Sequence, residues 1–356
     1  VGRLRIIAQV RGGRAHVVAD LRTTITEVVT GLGMLGYDDV EAALVAAPAA
    51  LLNVERSDYE TLLRAWKERR HPDVFTAALM NGAAFRAARD GLRGRLPLVV
   101  EWEGAHRAPG DEVVPVDLRI DHVYLVSCKY LSRIVVNASP HHLFDRLLAG
   151  GHGRRGADWF GEVAPDERTA LYAAVHSALR DELLTLGDFE LPRLLDALNA
   201  RQRQDLGHRL ATGWPGDSIR HYDAMVERVA DASARRWRDA IGNDGELMLW
   251  RLLRIGSAPY FVLGAAASGF LRLRIATPWD WRQQFELRSF EVESRAGGQP
   301  MVTWRAIVRE RVSRAERVVE GHVEVRWSHG RFCGPPEAKV YLDTPHAEVP
   351  GYFALQ

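Results

Sequence analysis

The stretch Pro115-Val116-Asp117-Leu118-Arg119-Ile120-Asp121-His122-Val123-Tyr124-Leu125-Val126-Ser127-Cys128-Lys129-Tyr130 decides how this chain is read. Two apolar, β-branched runs meet at a polar turn near Asp121-His122, the pattern of an antiparallel hairpin. An acid stands near the start of the first run and a Ser-x-Lys near the end of the second. Strand alternation puts Ser127 and Lys129 on one side with Val123 and Leu125. The loop length then decides the chemistry. A three-residue loop, Ile120 to His122, sets Asp117 facing Leu125 and diagonal to Ser127, about 7 Å away. A two-residue loop pairs Asp117 with Val126 and aims it away.

Lys129 carries weight because lysine is scarce. Of 47 basic residues only Lys67, Lys129 and Lys339 are lysines. In a chain that uses arginine almost everywhere, a retained lysine points to a task for a compact, rotatable charge. Lys67 lies in Trp66-Lys67-Glu68-Arg69-Arg70, a solvated helix face, whereas the other two lie in strand-like runs. An acid and a lysine converging on a strand edge suit phosphodiester hydrolysis: a divalent cation on the acid polarises the phosphate, and the lysine orients water and offsets transition-state charge.

Working outward, Leu98–Trp102, Val113–Ile120 and Val123–Tyr130 read as three strands in succession. A helix precedes them, Phe75 to Leu92, broken near Asn81-Gly82. Another follows, opened by Ser139-Pro140 and running to Leu148. Earlier still, Leu4–Val10 and His16–Leu21 read as a hairpin, and helices start at Asp38-Asp39, running toward Leu52, and at Ser57-Asp58. Residues 164 to 255 look helical. From Ala258 the texture turns to β, with strands at Tyr260–Gly264, Phe270–Ile275, Phe285–Glu293, Val302–Arg309, Val318–Trp327 and Ala338–Leu342. The expected division is 1–74 (hairpin and helices), 75–150 (core), 151–256 (helical region) and 257–356 (β-rich domain).

The order helix, three antiparallel strands, helix, with an acid and x-Lys on the second and third strands, resembles the restriction-endonuclease-like PD-(D/E)xK nuclease superfamily over about Phe75 to Leu148. The resemblance implies an α+β or α/β fold with that core, a helical insertion, and Tyr260–Gly264 as a completing strand. It places the metal-binding aspartate at Asp117, the second ligand position at Ser127 and the catalytic lysine at Lys129. The proline stands one residue early. Ser127 replaces an expected acid, and Glu101, on the preceding strand with Glu103, is the first choice for the missing carboxylate; Asp121 belongs to the turn. The activity implied is a DNA endonuclease using Mg²⁺ or Mn²⁺, with a place in bacterial restriction or anti-phage defence and protein partners of such a complex. The alternative is an inactive nuclease-fold protein that binds nucleic acid or acts as a scaffold, Ser127 being the lesion.

Other features are weighed against this. Glu337-Ala338-Lys339, with Glu324 on the preceding strand, forms a backup Glu-x-Lys site, although no helix follows it. Trp279, Trp281 and Trp304, interleaved with Arg272, Arg274, Arg282 and Arg305, could build a β-surface that stacks bases and holds phosphates; Arg154 and Arg155 in a glycine-rich loop are further phosphate candidates. Gly31-Leu32-Gly33-Met34-Leu35-Gly36 matches the dinucleotide string without its strand–turn–helix context and reads as a turn between helices. The pair His141-His142 is a poor metal site, since adjacent residues do not share a helix face.

Composition narrows the classes. Net charge is +1, with 47% hydrophobic and 26% charged residues among 356, ordinary globular values. The longest apolar stretch, Ala258–Leu271, spans 14 residues, too short to cross a bilayer. Cys128 and Cys333 alone cannot make a disulfide framework or a four-cysteine zinc site. A soluble cytoplasmic protein without membrane association is the expectation.

Overall fold

A computed structural model describes residues 21–104, 116–130, 134–148, 158–186, 191–242, 244–256, 258–266 and 269–356. The expected N-terminal hairpin, residues 113–115 of the expected second strand, and the loop with Arg154 and Arg155 lie outside these. The fold is mixed α/β. Packing divides the chain into two compact units: one ends before residue 113 and takes in 117–122, and the other holds the remainder.

The first unit contains α1 (Leu21–Met34), α2 (Val40–Ala46), β1 (Leu51–Leu52), α3 (Arg56–Lys67), α4 (Pro72–Ala87), β2 (Val100–Trp102) and β3 (Leu118–Ile120). The helix starting at Asp39 stops at Ala46 instead of reaching Leu52: Ala47 turns left-handed (φ 42°) and Pro48 cannot continue the ladder. That frees Leu51 and Leu52 to pair in parallel with Val100 and Glu101. Helix α4 runs unbroken through Asn81-Gly82, and Gly31 and Gly33 lie inside α1 rather than in a turn. Gly33 and Gly82 serve a close helix crossing, while Gly31 makes room for the side chains of Leu51 and Val100. A Cβ on Gly82 would come within 2.7 Å of the Met34 nitrogen and 2.9 Å of the Gly33 carbonyl carbon, so the backbones touch where a side chain would hold them apart.

In the second unit, β4 (Tyr124–Tyr130) is followed by β5 (Ile134–Ala138) and a single π-turn, His142–Arg146. Helices α5 (Trp159–Val163), α6 (Pro165–Leu186), α7 (Ala200–Arg209), α8 (Ser218–Ile241) and α9 (Gly245–Leu253) come next. Then come β6 (Tyr260–Ala266), β7 (Gly269–Ile275), α10 (Pro278–Gln284), β8 (Phe285–Ala296), β9 (Pro300–Glu310), β10 (Glu316–Arg326), β11 (Glu337–Leu342) and β12 (Tyr352–Ala354). The strands of the β-rich C-terminal stretch belong to two different sheets. Strands β4, β6, β7 and β12 are neighbours in that order, β6 lying parallel to β4. The other five strands form a separate sheet ordered β5-β11-β10-β9-β8, which recruits β5 from far upstream.

Strands β9, β10 and β11 of that sheet alternate in burial. On β9, Val302, Trp304, Ala306 and Val308 are buried while Arg305 is exposed. Its apolar side meets α8, whose Met225, Val226, Val229, Ala230, Ala234, Trp237 and Ile241 are buried at the three-and-four spacing of an amphipathic helix. Three residues, Asp121–Val123, separate β3 from β4. The loop therefore begins and ends one residue later than the expected loop of Ile120 to His122. Asp121 and His122 both take left-handed backbone (φ 50° and 58°), which aspartate and histidine tolerate better than β-branched residues.

Candidate functional site

The acids gather in the first unit. Strands β2 and β3 are antiparallel, with Val100 opposite Ile120, Glu101 opposite Arg119 and Trp102 opposite Leu118. The Glu103 N–H donates to the Asp117 carbonyl at 3.0 Å and carries the pairing one residue further. Opposite partners share a side of the sheet. Val100, Trp102, Leu118 and Ile120 therefore form one buried apolar side, on which the Trp102 indole N–H donates to Glu27 of α1 at 2.6 Å. The other side carries Glu101, Glu103, Asp117 and Arg119.

Register then distinguishes the two candidate second acids. Glu103, not Glu101, is opposite Asp117, and these two carboxylate residues are 7% and 8% exposed. An Arg119 guanidinium nitrogen lies 3.7 Å from Glu103. Glu101 sits two residues along the strand, with its carboxylate 2.9 Å from Nδ1 of His122. Alternation placed both glutamates on one side; only the pairing could say which of them meets Asp117.

Asp121 has a different task. Its carboxylate accepts from Arg95 at 2.5 Å and from the backbone N–H groups of Leu98 and Val99 at 2.7 and 3.1 Å. Burial pushes its pKa up, but those donors and the Arg95 charge outweigh it and hold the carboxyl below its ordinary value. Asp121 is a clamp on residues 95–99, with its oxygens already in use.

Ser127 and Lys129 belong to the second unit, on β4. In the parallel pairing with β6 they are opposite Val262 and Gly264. Ser127 is fully buried and Lys129 half-buried. The three lysines differ in a telling way: Lys67 lies 3.4 Å from Glu41 and Lys339 lies 3.5 Å from Glu337, whereas Lys129 makes no ion pair among the described residues. Gly264 permits the strands' close approach there, since a Cβ on it would fall 2.7 Å from the Lys129 carbonyl carbon.

The backup Glu-x-Lys is saturated by its own neighbours. Glu324 is opposite Lys339 in register, but Lys339 pairs with Glu337, which also accepts from Ser328 at 2.5 Å and lies 3.4 Å from His329. Burial raises the Glu337 carboxyl, yet Ser328 and the charges of Lys339 and His329 bring it below its ordinary value. Glu324 lies 3.5 Å from Arg326. These are ion pairs along a sheet surface.

The proposed base-stacking surface does not form. Trp279, Trp281 and Arg282 lie on helix α10, not on a strand, because Thr277 and Asp280 close a capping box around Pro278. Trp281 is fully buried and donates to the Pro350 carbonyl, and Trp304 is buried on the inner side of the five-stranded sheet; only Trp279 is exposed. Arg282 bonds Glu246 at 2.8 Å and covers the Trp250 ring.

One cluster escaped the sequence reading. His141, Asp145 and Glu162 bring three potential ligand atoms within 4.8 Å of one another, the one such group found among the described residues. Arg236 occupies the place of a cation: it donates to Asp145 at 2.8 and 3.0 Å and to Glu162 at 2.6 Å. Although burial lowers its pKa, these carboxylates raise it further above its ordinary value. The cluster reads as a charge network tying α5 and α8 to the π-turn, and its donor set does not suit Mg²⁺, which favours an oxygen shell with open water positions. A sequence signal existed only in His141 and Asp145 at i,i+4. Compared with known proteins, the chain matches no family model, no curated protein and no solved structure.

Proposed function

We propose that this protein is a metal-dependent phosphodiesterase acting on DNA. The observation that carries the reading is the register of β2 on β3, which sets Glu103 opposite Asp117 on the polar side of the pair. Two carboxylates presented together are what a hard divalent cation takes when waters and phosphate oxygens complete its shell. Asp117 and Glu103 would hold Mg²⁺ or Mn²⁺, which when bound polarises the phosphate and makes water a better nucleophile.

The sequence resemblance gives Lys129, on β4 of the second unit, the task of orienting the attacking water and offsetting charge on the phosphorane-like transition state. That role needs an ammonium not already committed to a carboxylate, and Lys129 has that property among the described residues. Hydrolysis forms one phosphorus–oxygen bond from water and breaks the one to the leaving sugar oxygen, which takes up a proton. The parallel pairing of β6 with β4 is the kind of completing strand that the resemblance implies. A role in restriction or anti-phage defence rests on the sequence resemblance alone.

A second reading has its own observation: Ser127 is neutral and fully buried, so no charged ligand comes from that position, and a non-catalytic nucleic-acid-binding or scaffold subunit would keep this fold. Plasmid incubated with Mg²⁺ or Mn²⁺ separates the two. The intact protein should nick or linearise it, and Lys129→Ala and Asp117→Asn should each lose about a hundredfold or more in rate. Equal cleavage by all three proteins refutes the site; no cleavage with either metal favours the binding subunit.

A further inference from the structure

We propose that the second unit carries a guanine-binding pocket, walled by Trp327 and Phe332 and read by Arg168 and Asp196. The site lies wholly within that unit and does not depend on the phosphodiesterase reading. A cavity of about 330 Å³ is lined by Asp158 at the N-cap of α5, Arg168 of α6 and Asp196 of the 3₁₀ turn Leu195–Ala197. The loop after β10 supplies its other side through Trp327, Phe332 and Cys333. Small-molecule sites run from about 300 to 1,000 Å³, so this one has room for a nucleobase with its sugar and for little more. The Trp327 and Phe332 ring centroids lie 5.1 Å apart at 46°, and Phe160 meets Trp327 edge-on at 4.7 Å.

The polar groups single out the ligand. Asp158 is in use: it accepts from the N–H groups of Phe160 and Gly161 at 3.2 and 3.5 Å and pairs with Arg168. That pair fixes the Arg168 guanidinium, which is 15% exposed and has five N–H donors to give. Its Nη1 lies 3.8 Å from Asp196, too long for a hydrogen bond. Asp196 is 90% exposed and accepts no hydrogen bond among the described residues. A donor group and an acceptor group therefore line one aromatic cavity side by side, each with capacity left. A flat ligand that engages both must present acceptors next to donors. Guanine does so, with O6 and N7 beside N1–H and N2–H, so that a carboxylate takes two donors while a guanidinium takes O6. Adenine, cytosine and uracil each offer a carboxylate a single donor group on that edge.

The walls are set before any ligand arrives. Arg203 of α7 donates to the Leu195 and Leu198 carbonyls at 3.1 and 3.2 Å and to the Phe332 carbonyl at 3.2 Å. It thereby joins the turn that carries Asp196 to the loop that carries the rings. Cys333 donates to the Arg203 carbonyl at 3.1 Å, and Gly207 allows α7 this approach, since a Cβ there would collide with the Cys333 sulfur. A preset wall lowers the ordering cost of binding, and a ring against a base contributes through stacking. Cys333 lines the same cavity and serves as its chemical reporter.

The test is protection of Cys333 from N-ethylmaleimide in the whole protein, read by peptide mass spectrometry, which separates it from Cys128. Burial pushes the Cys333 thiol above its ordinary value, so labelling is run at pH about 8.5. GMP should slow labelling, with a half-protecting concentration about tenfold below that of AMP. Asp196→Asn should raise the GMP value about tenfold and leave the AMP value where it was, one charged acceptor having been lost. Asp196 is exposed, so that variant keeps the fold; Asp217→Asn, at another exposed carboxylate, should change nothing. Two short thymidine strands locate the source of the base. Protection by a strand with one central guanine, and not by the strand without it, assigns an unpaired guanine in a chain; protection by GMP alone assigns a free nucleotide. No protection by either guanine ligand, equal protection by AMP and GMP, or an Asp196→Asn protein that matches the intact one would each overturn the proposal.

Discussion

Gly264→Ala puts the link between fold and lysine to the test. Gly264 is the parallel-strand partner of Lys129, and a Cβ there would lie 2.7 Å from the Lys129 carbonyl carbon and 3.1 Å from its Cα. Carbon atoms rest about 3.5–4.0 Å apart, so the methyl group is short of room by about 1 Å. It meets backbone rather than a side chain that could swing away. Either β4 moves off β6 or its carbonyl rotates out of the ladder. Overpacking costs about 1–3 kcal/mol and each disturbed ladder bond about 1 kcal/mol, giving about 2–4 kcal/mol in all. For a unit of this size 1 kcal/mol moves Tm by about 2–4 °C, so calorimetry should show a drop of about 5–15 °C. Gly256→Ala is the control: nothing lies within 4 Å of its Cβ, and the change should be within about 0.5 kcal/mol. Cleavage should fall about a hundredfold in Gly264→Ala, the scale expected when a group is misplaced by 1 Å. A Gly264→Ala protein as stable and as active as Gly256→Ala would refute the reasoning.

Two further outcomes follow from side chains whose roles the structure redefines. Asp121 has a folded pKa below its ordinary value, so its contribution is fully present above the unfolded value of about 3.9 and is lost as pH falls through the lower folded value; Asp121→Asn should cost most stability near pH 7 and progressively less on acidification, and a difference from the intact protein that grows on acidification would contradict the clamp. Trp281, fully buried, should cost about 3–5 kcal/mol in denaturant unfolding when changed to alanine, whereas Trp279→Ala should be near neutral; the reverse order would restore the exposed stacking surface that the sequence suggested.

Much of the fold was legible because its signals are local. The alternation from Pro300 to Leu342 belongs to one sheet with one buried side, and β9, β10 and β11 each report that side in their own residues. What stayed hidden depends on distant partners. Strand β5 has meaning only because Val136 pairs with Val340, and five residues after β4 offer no hint of that choice. Gly31 and Gly33 look like turn punctuation until Gly82 arrives from another helix to meet Gly33, and Leu51 and Val100 come to pack on Gly31. Helix α10 is a different case: Thr277-Pro278-x-Asp280 is a complete start signal, overlooked because two tryptophans invited a strand reading.

The candidate site divides along the same line. Residue type was readable: rarity marked Lys129, and the structure adds that Lys67 and Lys339 lie beside carboxylates while Lys129 does not among the described residues. Residue position was only half readable. Alternation gives a face, and Glu101 and Glu103 share it; register picks the neighbour, and a two-residue step exchanges one glutamate for the other without changing any periodicity in the sequence. The acid that meets Asp117 is therefore set by where β2 stops sliding on β3. Trp102 on Leu118 and Val100 on Ile120 fix that point through their burial, with Glu27 accepting from the Trp102 indole. The polar side inherits its register from the apolar one, which is why a core tryptophan, rather than any acid, decides which carboxylate stands beside Asp117.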